Sequence, residues 1–140
     1  MTGSSSNINN KDSSVTWTSE AEIHEGKKTI VLELLKKNKE RVMKSLPGTV
    51  MHEFYIEEQQ EGNNGKITMF TFHRFSNAKA AVKHVEEETE LPQMADHVDY
   101  KCVRLLGHAD VEVMEVLKKF NPVKFTYVCG IKPIVEDRAI

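Results

Sequence analysis

The sequence predicts an α+β domain in which an antiparallel sheet carries helices on one face. One observation is that the spacing of apolar residues changes repeatedly along the chain, from the period of two of a strand to the 3.6 of a helix. Another is that glycine, proline and polar residues separate these segments. With 140 residues, 39% hydrophobic and 29% charged, the chain is long enough for one domain with its own core.

The first third of the chain predicts a strand followed by a helix. Apolar and polar residues alternate over residues 15–23, as in a half-buried strand, and the glycine-containing stretch 24–26 ends it. Residues 27–45 then place apolar side chains mostly on one helical face, which Asn38 interrupts, and lysines fill the rest. Pro47 and Gly48 predict the end of this helix.

The middle of the chain predicts a hairpin and a second helix. Strands are expected over residues 49–57 and 66–75, joined by the polar, glycine-containing loop 58–65. Ser76 is the expected N-cap of a helix over residues 77–88.

The last third predicts one more strand and an additional αβ unit. The stretch after Pro92, residues 93–97, is predicted to be a short turn or loop. A strand over 98–106, a helix over 111–120 capped by Asp110 and a strand over 123–130 follow.

These elements define the predicted domain and its fold. The domain spans residues 15–131, with a flexible tail over 1–14 and a C-terminal tail over 132–140. The order β-α-β-β-α-β is the ferredoxin-like split arrangement, here with an extra C-terminal αβ unit. Because apolar residues occur on both faces of the predicted sheet, a second copy is expected to cover the open face. The fold class is therefore a dimeric ferredoxin-like α/β barrel.

Charge and cysteine content limit the expected partners and the compartment. A net charge of −2 gives no electrostatic reason to expect nucleic acid or an anionic membrane as a partner. No apolar run approaches the roughly 20 residues that span a bilayer. Cys102 and Cys129 form no CxxC pair, and both are interpreted as reduced strand residues. We therefore expect a cytoplasmic protein.

Several segments together resemble the antibiotic-biosynthesis-monooxygenase domains, which include quinol monooxygenases. They are EAEIHEGKK, RVMKSLPGTVMHEFYIEE and ITMFTFHRFSNAKAAVKHV. The segment GHADVEVMEVLKKFNPVKFTYVCGI resembles the extra αβ unit of a longer branch of that family. The resemblance covers residues 15–131, and no single motif carries it. The matching positions are Pro47, Gly48, Phe75, Ala78, Ala80, Ala81 and His84.

The sequence departs from the family at one functional position, and it also lacks a residue that haem-degrading relatives use. His73 stands where the family commonly has Glu at the end of the third strand. Haem-degrading relatives use a Trp on the second helix, whereas the single tryptophan here is Trp17 on the first strand. Haem degradation is therefore not expected.

The resemblance implies oxygenation of a quinol, phenol or polycyclic aromatic by O₂ without metal, flavin or haem. A deprotonated phenol is electron-rich enough to react with O₂, so the protein needs a base, a donor for the developing oxyanion and exclusion of water. A different class of function is a non-catalytic dimeric module that binds a small ligand or serves in a stress response. A purely structural dimer is the third hypothesis.

The hairpin predicts which side chains share a face of the sheet. If Glu57 lies opposite Lys66, His52, Phe54 and Ile56 share one face with Met69, Thr71 and His73. His52 and His73 then lie close together as a candidate proton-transfer pair. The same register places Met51, Glu53 and Tyr55 on the other face with Phe70, Phe72 and Arg74.

The candidate catalytic residues are His73 as the base, with His84 and Glu53 as orienting or donor groups. Each has a structural alternative. His73 can be a satisfied structural histidine, His84 can pair with Glu88 on its helix, and Glu53 can pair with Arg74.

The candidate substrate-binding residues are a second histidine and four aromatic residues, which are equally typical of a core. The six histidines include no HxxxH or HxH pair, so no metal site is predicted. The binding candidates are Trp17, His52, Tyr55, Phe70 and Phe72.

The predicted dimer can be tested by light scattering at micromolar protein concentration. We expect a mass twice that of the chain, because the open sheet face is predicted to be covered by a second copy. The mass of a single chain would contradict the prediction.

Overall fold

A computed structural model of the chain describes residues 13–58, 65–132 and 135–139. Nearly all of the predicted N-terminal tail and most of the predicted hairpin loop lie outside the described residues. The helices and strands are β1 (Val15–Ile23), α1 (Lys28–Ser45), β2 (Thr49–Ile56), β3 (Ile67–Phe75), α2 (Ala78–Glu86), α3 (Leu91–Met94), β4 (Val98–Leu106), α4 (Val111–Leu117), a 3₁₀ turn (Lys118–Phe120) and β5 (Val123–Phe125).

The strands form one five-stranded sheet in the order β2-β3-β1-β4-β5. Its first four strands pair antiparallel, as in the predicted ferredoxin-like arrangement, and helices lie on one side. β5 instead runs parallel to β4, so the sheet is mixed. The reason is that α4 carries the chain back along the sheet before β5 begins, and a helical crossover joins parallel strands. The α+β prediction is confirmed, although the sheet is not antiparallel throughout.

Most predicted boundaries agree with the structure, and the differences have local causes. Strand β5 ends at Phe125 rather than at residue 130. Helix α2 takes its cap from Asn77, whose side chain accepts a hydrogen bond from the Ala80 amide at 2.9 Å. Ser76, the expected cap, donates its hydroxyl to Asp137 instead.

The helices cover the face of the sheet that carries the odd-numbered residues of β1. Apolar side chains from this face pack against α1 at one end of the sheet and against α2 and α4 at the other. Between the two ends, histidine and threonine replace the aliphatic residues. The largest fully buried side chains are Ile23, Val31, Phe75, Leu105 and Val113.

The opposite face of the sheet carries a mixture of polar pairs and aromatic rings. Arg74 donates from Nε to the Thr16 hydroxyl at 3.1 Å, and Arg104 pairs with Glu20 at 2.8 Å. Tyr55 is 54% exposed on this face. Such a surface is suited to a partner, and the predicted dimer remains a prediction.

The C-terminal residues return to the body of the domain. The Arg138 guanidinium donates to the carbonyl oxygens of Val42, Leu46 and Thr49 at 3.0, 3.0 and 2.7 Å. Basic side chains commonly satisfy the last carbonyls of a helix in this way. Residues 135–139, which were predicted to belong to a tail, therefore bridge the end of α1 and the start of β2.

Both cysteines carry free thiols, with Cys102 half-buried on β4 and Cys129 exposed beyond the end of β5. Among the described residues, no helix has the length and apolar character needed to cross a membrane.

Gly48 lies where β2 begins beneath α2, and its replacement tests this packing. A Cβ atom at position 48 would lie 2.4 Å from the Ala80 Cβ, so either the start of β2 or helix α2 must shift. We expect Gly48→Ala to lower the free energy of unfolding by about 1–3 kcal/mol, the usual cost of overpacking, in urea denaturation. Gly130→Ala is the control, because its new Cβ would only approach the Tyr127 hydroxyl at 3.7 Å. Equal stability of the two variants would contradict the close approach.

Candidate functional site

A cavity of about 100 Å³ lies between the helix-covered face of the sheet and the helices. Its wall is mostly apolar, with a small number of polar groups that converge on the space, as is typical of small-molecule sites. The apolar residues include Trp17, Leu35, Phe54, Met69, Tyr100 and Phe120; the polar ones are Ser19, Asn38, His52, Thr71, His73, His84, Glu88 and Glu90.

Three histidines, here called the histidine triad, meet at this cavity: His52 on β2, His73 on β3 and His84 on α2. His52 and His73 are direct partners across the two strands, with ring centroids 4.4 Å apart. The His84 ring lies 5.0 Å from His52 and 5.5 Å from His73. One ligand nitrogen from each ring lies within 4.8 Å of the others.

The predicted proximity of His52 and His73 is confirmed, although the register differs from the expected one. Ile56 pairs with Met69, so the strands are shifted by two residues from a pairing of Glu57 with Lys66. A shift of two leaves every side chain on its predicted face, because side chains alternate with a period of two. The predicted grouping by face therefore survived an incorrect register.

Hydrogen bonding distinguishes the three rings. The Thr49 hydroxyl lies 2.9 Å from His84 Nδ1, which holds that ring in place. In the described part of the chain, the buried Nδ1 atoms of His52 and His73 have no hydrogen-bond partner. Buried polar atoms are rarely left in that state, so these two nitrogens are available to a ligand.

Burial keeps the triad neutral. Burial, followed by the nearby His84 and Arg41, lowers the pKa of His52 from 6.5 to about 3. Burial, followed by Arg41, lowers the pKa of His84 to about 4. The pKa of His73 also falls well below its usual value, first through burial and then through His52 and His84. Each ring therefore carries one unprotonated nitrogen at neutral pH.

A charged network closes one side of the cavity. Asn38 donates from Nδ2 to both carboxylate oxygens of Glu88 at 2.8 and 2.9 Å. Arg41 lies 3.3 Å from Glu88 and 3.1 Å from Glu90. Burial raises the pKa of Glu90, but hydrogen bonds from Thr89 and Arg41 outweigh it and leave the pKa lowered.

The predicted pairing of His84 with Glu88 is present, but it lies inside the protein. His84 Nε2 is 3.9 Å from Glu88 Oε2, and the two side chains are 4% and 12% exposed. Asn38, which interrupts the apolar face of α1, is 5% exposed because it anchors this carboxylate. A polar residue on an otherwise buried helical face was thus the sequence signal for this part of the site.

The structure places four of the eight predicted site residues at the cavity and four elsewhere. The four at the cavity are Trp17, His52, His73 and His84. Trp17 is 4% exposed, and its ring centroid lies 5.5 Å from that of His73. Glu53 is exposed on the opposite face of the sheet, where it accepts a hydrogen bond from Tyr55 at 3.0 Å. Phe70 and Phe72 share that face because their positions have the same parity along β3 as Arg74.

Sequence reasoning missed three polar residues that support the triad. They are Thr49, Arg41 and Glu90, which come from the start of β2, from α1 and from the segment before α3. No local pattern distinguishes them, because their partners lie far away in sequence.

The neutral triad predicts that stability falls on acidification. The unfolded histidines take up protons as the pH falls below 6.5, whereas the native ones do not until about 4 or below. Each ring therefore reduces the free energy of unfolding by up to about 1.4 kcal/mol for each pH unit in this window. The contribution of the neutral histidines to the free energy of unfolding is fully present above pH 6.5.

Urea denaturation of the protein at pH 7 and at pH 5 measures this loss. His73→Phe, which keeps an aromatic ring in the cavity wall, should lose less stability than the parent over the same interval. A parent protein equally stable at both pH values would contradict the neutral triad.

Comparison with known proteins indicates the fold. No protein-family model and no curated protein matches the chain. Among solved structures, MupZ from Pseudomonas fluorescens is similar with a TM-score of 0.71 at 16% identity, over 88% of this chain and 98% of that one. A Bacteroides thetaiotaomicron protein of unknown function, described as a possible oxidoreductase, has a TM-score of 0.52 at 11% identity, over 67% of this chain and 96% of that one. A conserved protein from Methanosarcina mazei Go1 has a TM-score of 0.52 at 12% identity, over 70% of this chain and 95% of that one. At these identities the likeness is one of fold, consistent with the ferredoxin-like prediction.

Proposed function

We propose that the chain is a cofactor-independent monooxygenase that oxidises a small quinol-like or phenolic aromatic compound with O₂. The observation that carries the proposal is the histidine triad, with three neutral imidazoles lining a mostly apolar cavity. The resemblance of residues 15–131 to antibiotic-biosynthesis-monooxygenase domains supports the same class of reaction.

His73 is proposed as the base. Its Nδ1 lacks a partner and its ring lies between those of His52 and Trp17, so an aromatic hydroxyl in the cavity can approach it. A lowered pKa makes the His73 imidazole a weak base in the empty cavity. The anion formed on the substrate offsets this weakness, because an imidazolium and a phenolate attract each other strongly where water is excluded.

The other cavity residues orient the reacting groups. His84 is held by Thr49 and lies edge-on to both other rings, so it can fix the position of His73 and donate to a developing oxyanion. Trp17 offers an aromatic wall for the substrate ring. Glu53, Tyr55, Phe70 and Phe72 have no part in this chemistry, because they lie on the opposite face.

The reaction consumes no external reductant. The substrate anion transfers electrons to O₂, and a carbon–oxygen bond forms between a ring carbon and O₂ to give a peroxide. The proton taken from the substrate hydroxyl protonates the peroxide. Cleavage of the oxygen–oxygen bond then leaves one oxygen atom as a new carbonyl at a former CH carbon of the ring and releases the other as water, which carries that proton and the hydrogen of the same carbon. The substrate therefore supplies all four electrons.

The lining of the cavity favours an enzyme over a module that only binds a ligand. Its sheet side carries histidines beside aromatic rings, and histidine is the side chain that most often transfers protons in catalysis. The proposal includes a homodimer that buries the open sheet face and a cytoplasmic location, in keeping with two free thiols.

Oxygen uptake by metal-stripped protein tests the function with a panel of quinols and anthrols. We expect uptake that a chelator does not abolish and that His73→Ala lowers by about 10²–10⁴-fold, the usual contribution of a positioned base. Glu53→Gln, on the opposite face, should retain the parent rate. Circular dichroism checks that each variant is folded.

Two other outcomes would reject parts of the proposal. Uptake unchanged in His73→Ala would leave an oxygenase without its proposed base. No uptake across the panel, with quenching of Trp17 fluorescence by the same compounds, would identify a binding module. The fluorescence is specific to the cavity because Trp17 is the single tryptophan.

A further inference from the structure

We propose that the histidine triad is a binding site for a divalent transition-metal ion, with Zn²⁺ as the test ion. His52, His73 and His84 would each supply one imidazole nitrogen. The inference uses the same side chains as the proposed oxygenase, but its direct test measures metal binding and does not depend on that activity.

The geometry of the triad is close to that of a three-histidine site. Its ligand nitrogens already lie within 4.8 Å of one another. In a tetrahedral zinc site with bonds of 2.0–2.1 Å, neighbouring ligand atoms are about 3.4 Å apart. The remaining difference is small enough for rotation of the side chains. His52 and His73 are already direct strand partners, and His84 approaches them from α2.

The unsatisfied nitrogens are the second observation. In the described part of the chain, His52 Nδ1 and His73 Nδ1 are buried without a hydrogen-bond partner, and such atoms destabilise a fold unless something binds them. A metal ion would use the lone pair that each neutral ring carries. Imidazole nitrogen is a preferred ligand of Zn²⁺, Cu²⁺ and Ni²⁺.

The surroundings supply the outer contacts that metal-binding histidines normally have. Thr49 contacts His84 Nδ1 at 2.9 Å, which leaves His84 Nε2 for the metal and fixes the orientation of the ring. Glu88 Oε2 lies 3.9 Å from that Nε2 and is held by Asn38 and Arg41. A carboxylate is thus placed next to the site, where it can balance the charge of the ion.

The cavity provides an open coordination position. Three protein ligands with a free fourth position are typical of reactive rather than structural zinc sites. The space of about 100 Å³ beside the triad accommodates water or a small ligand on that position. The site would therefore take a water molecule or an anionic group of a small molecule as its fourth ligand.

Metal binding and proton acceptance exclude each other, because both use the imidazole lone pairs. Zn²⁺ is expected to inhibit the proposed metal-free oxygen uptake, and a chelator should restore it. Uptake that appears only with a bound metal would reject the cofactor-independent proposal and leave the metal site standing. Failure of either proposal is thus distinguishable from failure of the other.

The direct test is titration of the chelator-treated, full-length protein with Zn²⁺ by calorimetry and with Co²⁺ by visible absorption. We expect one ion per chain and the absorption bands of a tetrahedral cobalt site. His73→Gln and His84→Gln should each weaken binding at least about 100-fold, as expected when one of three ligands is lost. No saturable binding, or equal binding by the parent and both variants, would overturn the proposal.

Two further variants separate loss of the site from loss of the fold. Thr49→Val keeps the side-chain volume but removes the contact with His84, and it should weaken Zn²⁺ binding about 10–100-fold, as loss of an outer contact does elsewhere. His108→Gln removes an exposed histidine that pairs with Asp110 at 2.9 Å, and it should bind as the parent does. Loss of binding in His108→Gln but not in Thr49→Val would assign the metal to the surface and reject the triad.

Discussion

The alternation of side chains along β1, β2 and β3 is the constraint on which the site depends. Because successive residues of a strand point to opposite faces, His52 and His73 lie beneath the helices while Glu53 and Phe72 face away from them. The helices then cover only one face. One set of side chains is therefore enclosed with the cavity, and the other forms an open surface of aromatic residues and ion pairs.

Enclosing polar groups has a cost, and the molecule offsets it only in part. Asn38 Nδ2 donates to Glu88 and Arg41 Nε donates to Glu90, and opposite charges hold Arg41 beside both carboxylates. Asn38 Oδ1 and Arg41 Nη2 nevertheless lack a hydrogen-bond partner among the described residues. The histidine triad is satisfied only in part, by the contact between Thr49 and His84. Incompletely satisfied groups beside a cavity are typical of sites that bind or react. The histidines differ from the charged network in carrying unprotonated nitrogen lone pairs at neutral pH, and they are therefore the candidate reactive centre.

The same burial serves both proposed roles of the triad. Loss of water lowers the pKa of each ring and leaves the nitrogen lone pairs unprotonated at neutral pH. Such a nitrogen can bind a metal directly, or it can accept a proton when a negative charge forms next to it. Which role dominates depends on the occupant of the cavity, because a metal ion and a proton cannot bind the same nitrogen lone pair.

The sequence by itself determined most of the secondary structure, the α+β class and the faces on which the residues of the β2–β3 hairpin lie. Periodicity and turn residues are local properties, so β1 and β4 have the predicted bounds, and the predicted sharing of a face by His52 and His73 held despite a register error of two residues. Tertiary structure alone decided that His84 joins them and that Thr49 supports it. It also returned Arg138 to the end of α1. The contacts of Thr49 with His84 and of Arg138 with α1 join residues 35 or more positions apart, and no local pattern encodes such packing.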